Sequence, residues 1–331
     1  KESSAASDVY KRQGNTIPFI ARYRKEATGS LNDEVLRRLD ERLRYLRNLE
    51  ERKEQVLASI RDQEKLTPEL EKQIREAVAL VTVEDLYLPY RPKRRTRAGI
   101  AKEKGLEPLA ASIWQQMIKG SLQEAAKVYI SEEKGVKTAE EAIAGARDIL
   151  AEQISETALY RSYIRRLSFQ EGLLEASGRD KTVQSVYEMY YEFSEPVKKV
   201  AGHRVLAINR GEKEKFLTVR LVAPEEKVLR YLEKQVILRD NPETAAVLSE
   251  AIQDSYRRLI GPAIEREIRG EMTEAAEAGA IRVFGKNLEQ LLMQPPIVGR
   301  VVLGWDPAFR TGCKLAVVDG TGKVLDTTVI Y

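Results

Sequence analysis

Apolar residues in this chain recur at spacings of three and four up to a Pro295-Pro296 pair, and beyond it they alternate. A period near 3.6 demands helices that bury one face, whereas a period of two demands a sheet. The expected fold is therefore mainly α, a multi-helix body ending in a few β-strands. One interruption is expected inside the body. Residues 204–209 and 216–221 alternate around Arg210-Gly211-Glu212 and read as a small β-hairpin insertion. Past the prolines, LGWDPAFRTGCKLAVVD (303–319) runs a strand into a turn carrying Pro307 and Gly312, then into a second strand. Residues 297–331 amount to only about a third of an ordinary domain, so a fragment of a longer protein is expected.

The helical signals are local and specific. Val35, Leu39, Leu43, Leu46, Leu49, Val56 and Ile60 form one stripe over 33–61, with Asn32 as N-cap. Thr67-Pro68 opens a second helix, with Leu70, Ile74, Val78 and Val81 inward. The stripe fades after two or three heptads, which favours a bundle core over a coiled-coil arm. Thr138-x-x-Glu141 is a capping box for a helix reaching Ser155. Helices are also expected at 105–119, 121–130, 156–170, 182–192 and 224–239. Another should start at Asn241-Pro242 and stop at Gly270, with two shorter ones before the proline pair.

Composition excludes several chemistries. One histidine and one cysteine leave no disulfide framework and no common zinc site. GxSxG, Walker A and GxGxxG patterns do not occur, and Gly320-Thr321-Gly322-Lys323 reads as a hairpin turn. No apolar run approaches the ~20 residues of a membrane span. A cytoplasmic protein without cofactor or resident metal is expected. Residues 1–13, with DVYKRQ at 8–13, resemble a translated transposase adapter and are expected to be non-native.

Two stretches suit nucleic acid. In YRPKRRTRAGIAKEKG (90–105), Arg91, Lys93, Arg94, Arg95, Arg97, Lys102 and Lys104 stand against a single acid, Glu103, in a chain whose net charge is only +4. Pro89 and Pro92 should keep this strap extended, its cations spread along phosphates. The competing reading is a strap between domains whose cations pair internally. In IARYRKEATG, Arg22, Arg24 and Lys25 surround Tyr23, which either stacks on bases or packs on a helix.

Asp306 is the most chemically pointed residue. A carboxylate ending a first strand is how RNase H-like folds begin, and their nucleases need three or four such groups for two metals. The alternative is a strand-end Asp hydrogen-bonded to the turn at Thr311 and Gly312. Cys313 reads as a small buried residue of the second strand, and His203 as a packing or hydrogen-bonding residue opening the hairpin.

Four strings, NTIPFIARYRKEATGSLNDEVL (15–36), DLYLPYRPKRRTRAGIAKEKGLEPLA (85–110), HRVLAINRGEKEKF (203–216) and LGWDPAFRTGCKLAVVD, resemble the Tex family of bacterial transcription accessory proteins. The resemblance implies an N-terminal helical region over 14–200, with a helix-turn-helix-like piece near 62–130. It further implies a central region over 201–296 and a truncated YqgF/RNase H-like domain over 297–331. Complete members then carry helix-hairpin-helix elements and an OB-fold RNA-binding domain, neither of which is expected within these 331 residues. RNA or DNA and the transcription machinery are the implied partners, and the implied role is non-enzymatic. A metal-dependent nuclease or resolvase centred on Asp306, and a pure protein-interaction scaffold, are the alternatives.

Overall fold

The computed structural model describes residues 2–331 except Lys119, Pro296 and Phe309. The expected end of the 105–119 helix, half of the proline-pair boundary and part of the turn after Asp306 thus lie outside the described residues. The architecture is mainly helical with two small three-stranded sheets.

Three short helices, α1 (Glu2–Arg12), α2 (Ile17–Tyr23) and α3 (Lys25–Thr28), precede the 30-residue α4 (Asp33–Asp62). Asn32 caps α4 as expected, its Oδ1 accepting from the Val35 N–H at 2.9 Å. In α5 (Pro68–Glu76) the Thr67 hydroxyl caps likewise, but the helix does not run on to Val81. Ala77 turns extended, Val78 is left 80% exposed, and α6 (Leu80–Tyr87) starts afresh. The break lets Ile74, Val83 and Tyr87 share one core with Leu49, Val56, Leu57 and Ile60 of α4. This is a bundle core.

The largest core surrounds α10 (Ala139–Ser155), preceded by α7 (Arg97–Glu103), α8 (Glu107–Gln115) and α9 (Leu122–Lys127). The capping box forms in part: Thr138 Oγ1 accepts from the Glu141 N–H, while Glu141 Oε2 accepts at 2.7 Å from the N–H of Lys137, one residue before the cap. Gly145 lets α10 approach the start of α8; a Cβ there would lie 2.3 Å from Leu106 Cδ1.

After α11 (Ala158–Glu171) the structure departs from the expected hairpin. β1 (Leu173–Gly178), β2 (Glu192–Pro196) and β3 (Leu217–Val222) form an antiparallel sheet in the order β2-β1-β3. Residues 204–209 are not a strand but lie in α12 (Gly202–Lys213). Val205, Ile208 and Gly211 recur every third residue and are buried, and that helical face covers the sheet. A Cβ on Gly211 would meet Leu217 at 2.7 Å, so this helix–sheet contact selects the conformation. The helix expected over 182–192 is a loop ending in one 3₁₀ turn at Glu188–Tyr190. There Asp180 and Ser185 side chains accept backbone N–H groups, while Tyr187, Tyr190 and Tyr191 fill the core beneath the sheet.

α13 (Glu225–Val236) and α14 (Pro242–Asp254) follow, Asn241 capping the latter. A π-helical turn at Ser255–Ile260 leads into α15 (Gly261–Leu292), which passes through Gly270 without stopping. Glycine inside a helix costs roughly 1 kcal/mol. Burial of Ile264, Ile268 and Ala276 on both sides of it outweighs that. The two short helices expected beyond are therefore the second half of α15.

β4 (Val302–Asp306), β5 (Cys313–Val318) and β6 (Val324–Ile330) form the second sheet, in sequential antiparallel order. The turn at 319–323 is made as expected, with Asp319 Oδ1 accepting from the Thr321 and Lys323 N–H groups at 2.8 and 3.0 Å. Among the described residues, no helix is long and apolar enough to cross a membrane.

Candidate nucleic-acid interface

The strap is fixed before it begins. Asp85, 5% exposed near the end of α6, lies between two arginines spaced four apart on α11. Arg161 Nε donates to Asp85 Oδ1 at 2.8 Å, and Arg165 donates to both Asp85 oxygens at 2.8 and 3.0 Å. Glu267 of α15 completes the square, accepting from Arg161 at 2.6 Å and Arg165 at 2.8 Å. Two guanidinium groups and two carboxylates balance, which is what makes their burial tolerable. Burial pulls the Arg165 guanidinium down, but the hydrogen bonds to Asp85 and Glu267 hold its pKa above the ordinary value. Gln63 adds a second tie, its amide donating to the Tyr90 carbonyl at 2.9 Å.

Along the strap the lysines are engaged. Lys93 pairs with Glu152 at 3.2 Å and, more closely, with Glu156, both near the end of α10. Burial raises the Glu156 carboxyl above its usual pKa, although Lys93 opposes the shift. Lys104 donates to the Gly135 carbonyl at 3.0 Å, and Lys102 stands 3.8 Å from Glu107. The strap is extended only in part. Leu88–Tyr90 is a 3₁₀ turn, residues 91–96 are irregular, and α7 begins at Arg97. Thr96 Oγ1 caps that helix, accepting from the Gly99 N–H at 2.9 Å, while Ala98 and Ala101 are buried. Cap and small buried face together override the extended tendency set by the prolines.

Arg91, Arg94, Arg95 and Arg97 are exposed, and among the described residues none makes a side-chain hydrogen bond or ion pair. Arg97 is nevertheless near enough for its charge to help Arg258, the main cause, hold the Asp254 carboxyl below its ordinary pKa. A cavity of about 550 Å³ adjoins the strap, lined in part by Tyr90, Lys102, Glu107, Glu152 and Glu156. Its excess of carboxylates does not suit phosphate.

The second basic stretch spans the junction of α2 and α3. Tyr23 is 59% exposed and does not pack into a core. Arg22, Arg24 and Lys25 are exposed too, and the Arg24 guanidinium lies 5.3 Å from the Tyr10 ring centre and 5.5 Å from that of Phe19.

Asp306 is exposed at the end of β4, paired in register with Lys314. Among the described residues its carboxylate makes no hydrogen bond, so the expected bond to the Thr311–Gly312 turn is not formed. No group of three or more His, Cys, Asp or Glu able to hold a metal ion occurs among the described residues. Cys313 is half-buried at the start of β5. His203 is exposed in the first turn of α12 rather than opening a strand.

Sequence reasoning missed Asp85, Arg161, Arg165, Glu267, Glu152 and Glu156. The available signals were the i,i+4 spacings of Arg161 with Arg165 and of Glu152 with Glu156, which place each pair on one helix face.

Family profiles match three stretches in order: a Tex-like protein N-terminal domain at 5–61, a Tex central region-like segment at 119–284 and a Tex protein YqgF-like domain at 300–331. The chain is 53% identical to the uncharacterized protein YdcI of Bacillus subtilis over 321 residues, 96% of this chain and 45% of that protein. It is 41% identical to the transcriptional accessory protein Tex of Neisseria gonorrhoeae over 326 residues, 96% of this chain and 42% of that one. Identity to the human S1 RNA-binding domain-containing protein 1 is 32% over 333 residues, 96% of this chain and 33% of that one. The chain thus spans less than half the length of these relatives. With the central match alone covering about half of it, the chain belongs to the Tex family.

Proposed function

We propose that this chain is a non-catalytic, nucleic-acid-associated scaffold of the transcription accessory type, and that Arg91, Arg94, Arg95 and Arg97 touch phosphate. The observation that carries this reading is the division of the strap. Its lysines are engaged by the body, while its unpaired arginines face solvent from a segment anchored at Asp85, Tyr90, Lys93 and Lys104. Anchoring lowers the entropy lost when a polyanion binds, and guanidinium forks suit phosphate oxygens. Relatives named for transcription and for an S1 RNA-binding domain support nucleic acid as the partner. Contacts of this kind give affinity without base reading.

The non-catalytic part of the reading is tested by incubating RNA or DNA with magnesium, where cleavage that is lost in Asp306→Asn would contradict it. The alternative, a metal-dependent nuclease centred on Asp306, would show as magnesium-dependent cleavage of RNA or DNA.

The strap is tested by binding to RNA and duplex DNA across a salt series, beside an Arg94→Glu/Arg95→Glu variant. The wild type should weaken steeply with salt, and the variant's logarithmic slope should be smaller by about 2. An unchanged slope would remove these arginines from the interface.

A further inference from the structure

Tyr23 differs from the strap in what it can offer a nucleic acid. One side of its ring is braced by Phe19, with centroids 5.1 Å apart and planes tilted by 45°. Arg24, exposed as well, donates to the Tyr23 carbonyl at 3.3 Å and lays its guanidinium near the Phe19 ring, tying it to this corner. The short helix beneath is held by the Thr16 cap, by Pro18 in its first turn and by Ile20, only 2% exposed. Arg22 and Lys25, one position before and two after Tyr23, are exposed and without an ion pair among the described residues.

A single exposed aromatic is common and carries nothing alone. Here the ring has a fixed back, an open remainder and exposed cations close to it in the chain. A braced ring loses little freedom when a flat partner settles on it. Every nucleobase has such a face, but a duplex keeps its bases stacked on each other, so only unpaired bases are free to meet a side chain. The strap offers no equivalent, because its one aromatic residue, Tyr90, packs against the α4–α6 core.

We propose that Tyr23 stacks on an unpaired base of single-stranded nucleic acid while Arg22 and Lys25 meet the neighbouring phosphates. This contact rests on the nucleic-acid reading above but on different residues, so the two separate experimentally. Binding of the full chain is measured by fluorescence anisotropy on a short oligouridine, its deoxy counterpart and a duplex. The proteins are the wild type, Tyr23→Ala, Tyr23→Phe and Arg94→Glu/Arg95→Glu, with thermal melts confirming that each is folded. Tyr23→Ala should weaken both single strands about five-fold or more, leaving duplex affinity and the salt slope unchanged. Tyr23→Phe, which keeps the ring, should bind as the wild type does. Wild-type affinity of Tyr23→Ala for single strands would overturn the stacking contact, even where the arginine variant shows that the strap is engaged. An equal loss on single strands and duplex would overturn it as well, since it would mean a contact blind to unpaired bases.

Discussion

Arg161 and Arg165 are the same residue type as Arg94 and Arg95, yet the two pairs do opposite things. The first pair is locked between Asp85 and Glu267 where three helices meet, with side chains only 7% and 14% exposed. The second pair is open to solvent and has no carboxylate within reach among the described residues. A buried charge must be matched within the fold, so it holds helices in register and has nothing left to offer a ligand. An exposed, unmatched charge adds little to the fold and keeps its full field for a polyanion. Composition alone treats all four as equal.

The largest test of this contrast removes one side of the buried square. Asp85→Ala leaves two guanidinium groups facing a single carboxylate and should cost about 3–5 kcal/mol in denaturant unfolding. A loss below about 1 kcal/mol would mean that water reaches the cluster. Gly145→Val should be next, at about 1–3 kcal/mol, because it drives a side chain into Leu106. That overpacking should also disturb the seat of α7, visible as faster amide exchange there.

A smaller effect concerns the strap's middle anchor. Burial holds the Glu156 pKa above the 4.5 of a free glutamate. The folded state therefore binds its proton more tightly than the unfolded state. The resulting stability is fully present below that unfolded value and is lost as pH rises through the folded pKa. Glu156→Gln should flatten the part of the stability profile that lies above pH 4.5. A profile identical to the wild type would show that Glu156 is not desolvated. Smallest of all, Arg94→Glu/Arg95→Glu should change unfolding stability by no more than about 0.5 kcal/mol. A large loss would mean that the strap is internally paired after all.

What was legible in the sequence depended on how locally it was encoded. The caps at Asn32, Thr67, Thr138 and Asn241, and the Asp319 turn, satisfy their own neighbouring N–H groups, so a few residues suffice to read them. Residues 204–209 read as a strand because Leu206 and Ile208 also fit an alternating run. The choice is made by Leu217 and the tyrosines, brought in by the chain around them. β1 and β2 stayed hidden because their pairing is set across the loop at 179–191, and β2 holds only five residues, two of them glutamates. For the site, the cations were visible but their partners were not. Glu152 and Glu156 lie some sixty positions beyond Lys93, and nothing local to the strap announces them.

The most direct measurement compares two charge-matched variants on one RNA, Arg94→Glu/Arg95→Glu and Lys102→Glu/Lys104→Glu, across a salt series. Both change the net charge by the same amount, but only the first alters the unpaired arginines. The salt slope should shrink by about 2 in the arginine variant and stay near the wild-type value in the lysine variant. Equal losses in both would show that affinity follows total charge, contradicting the division of the strap into anchors and contacts.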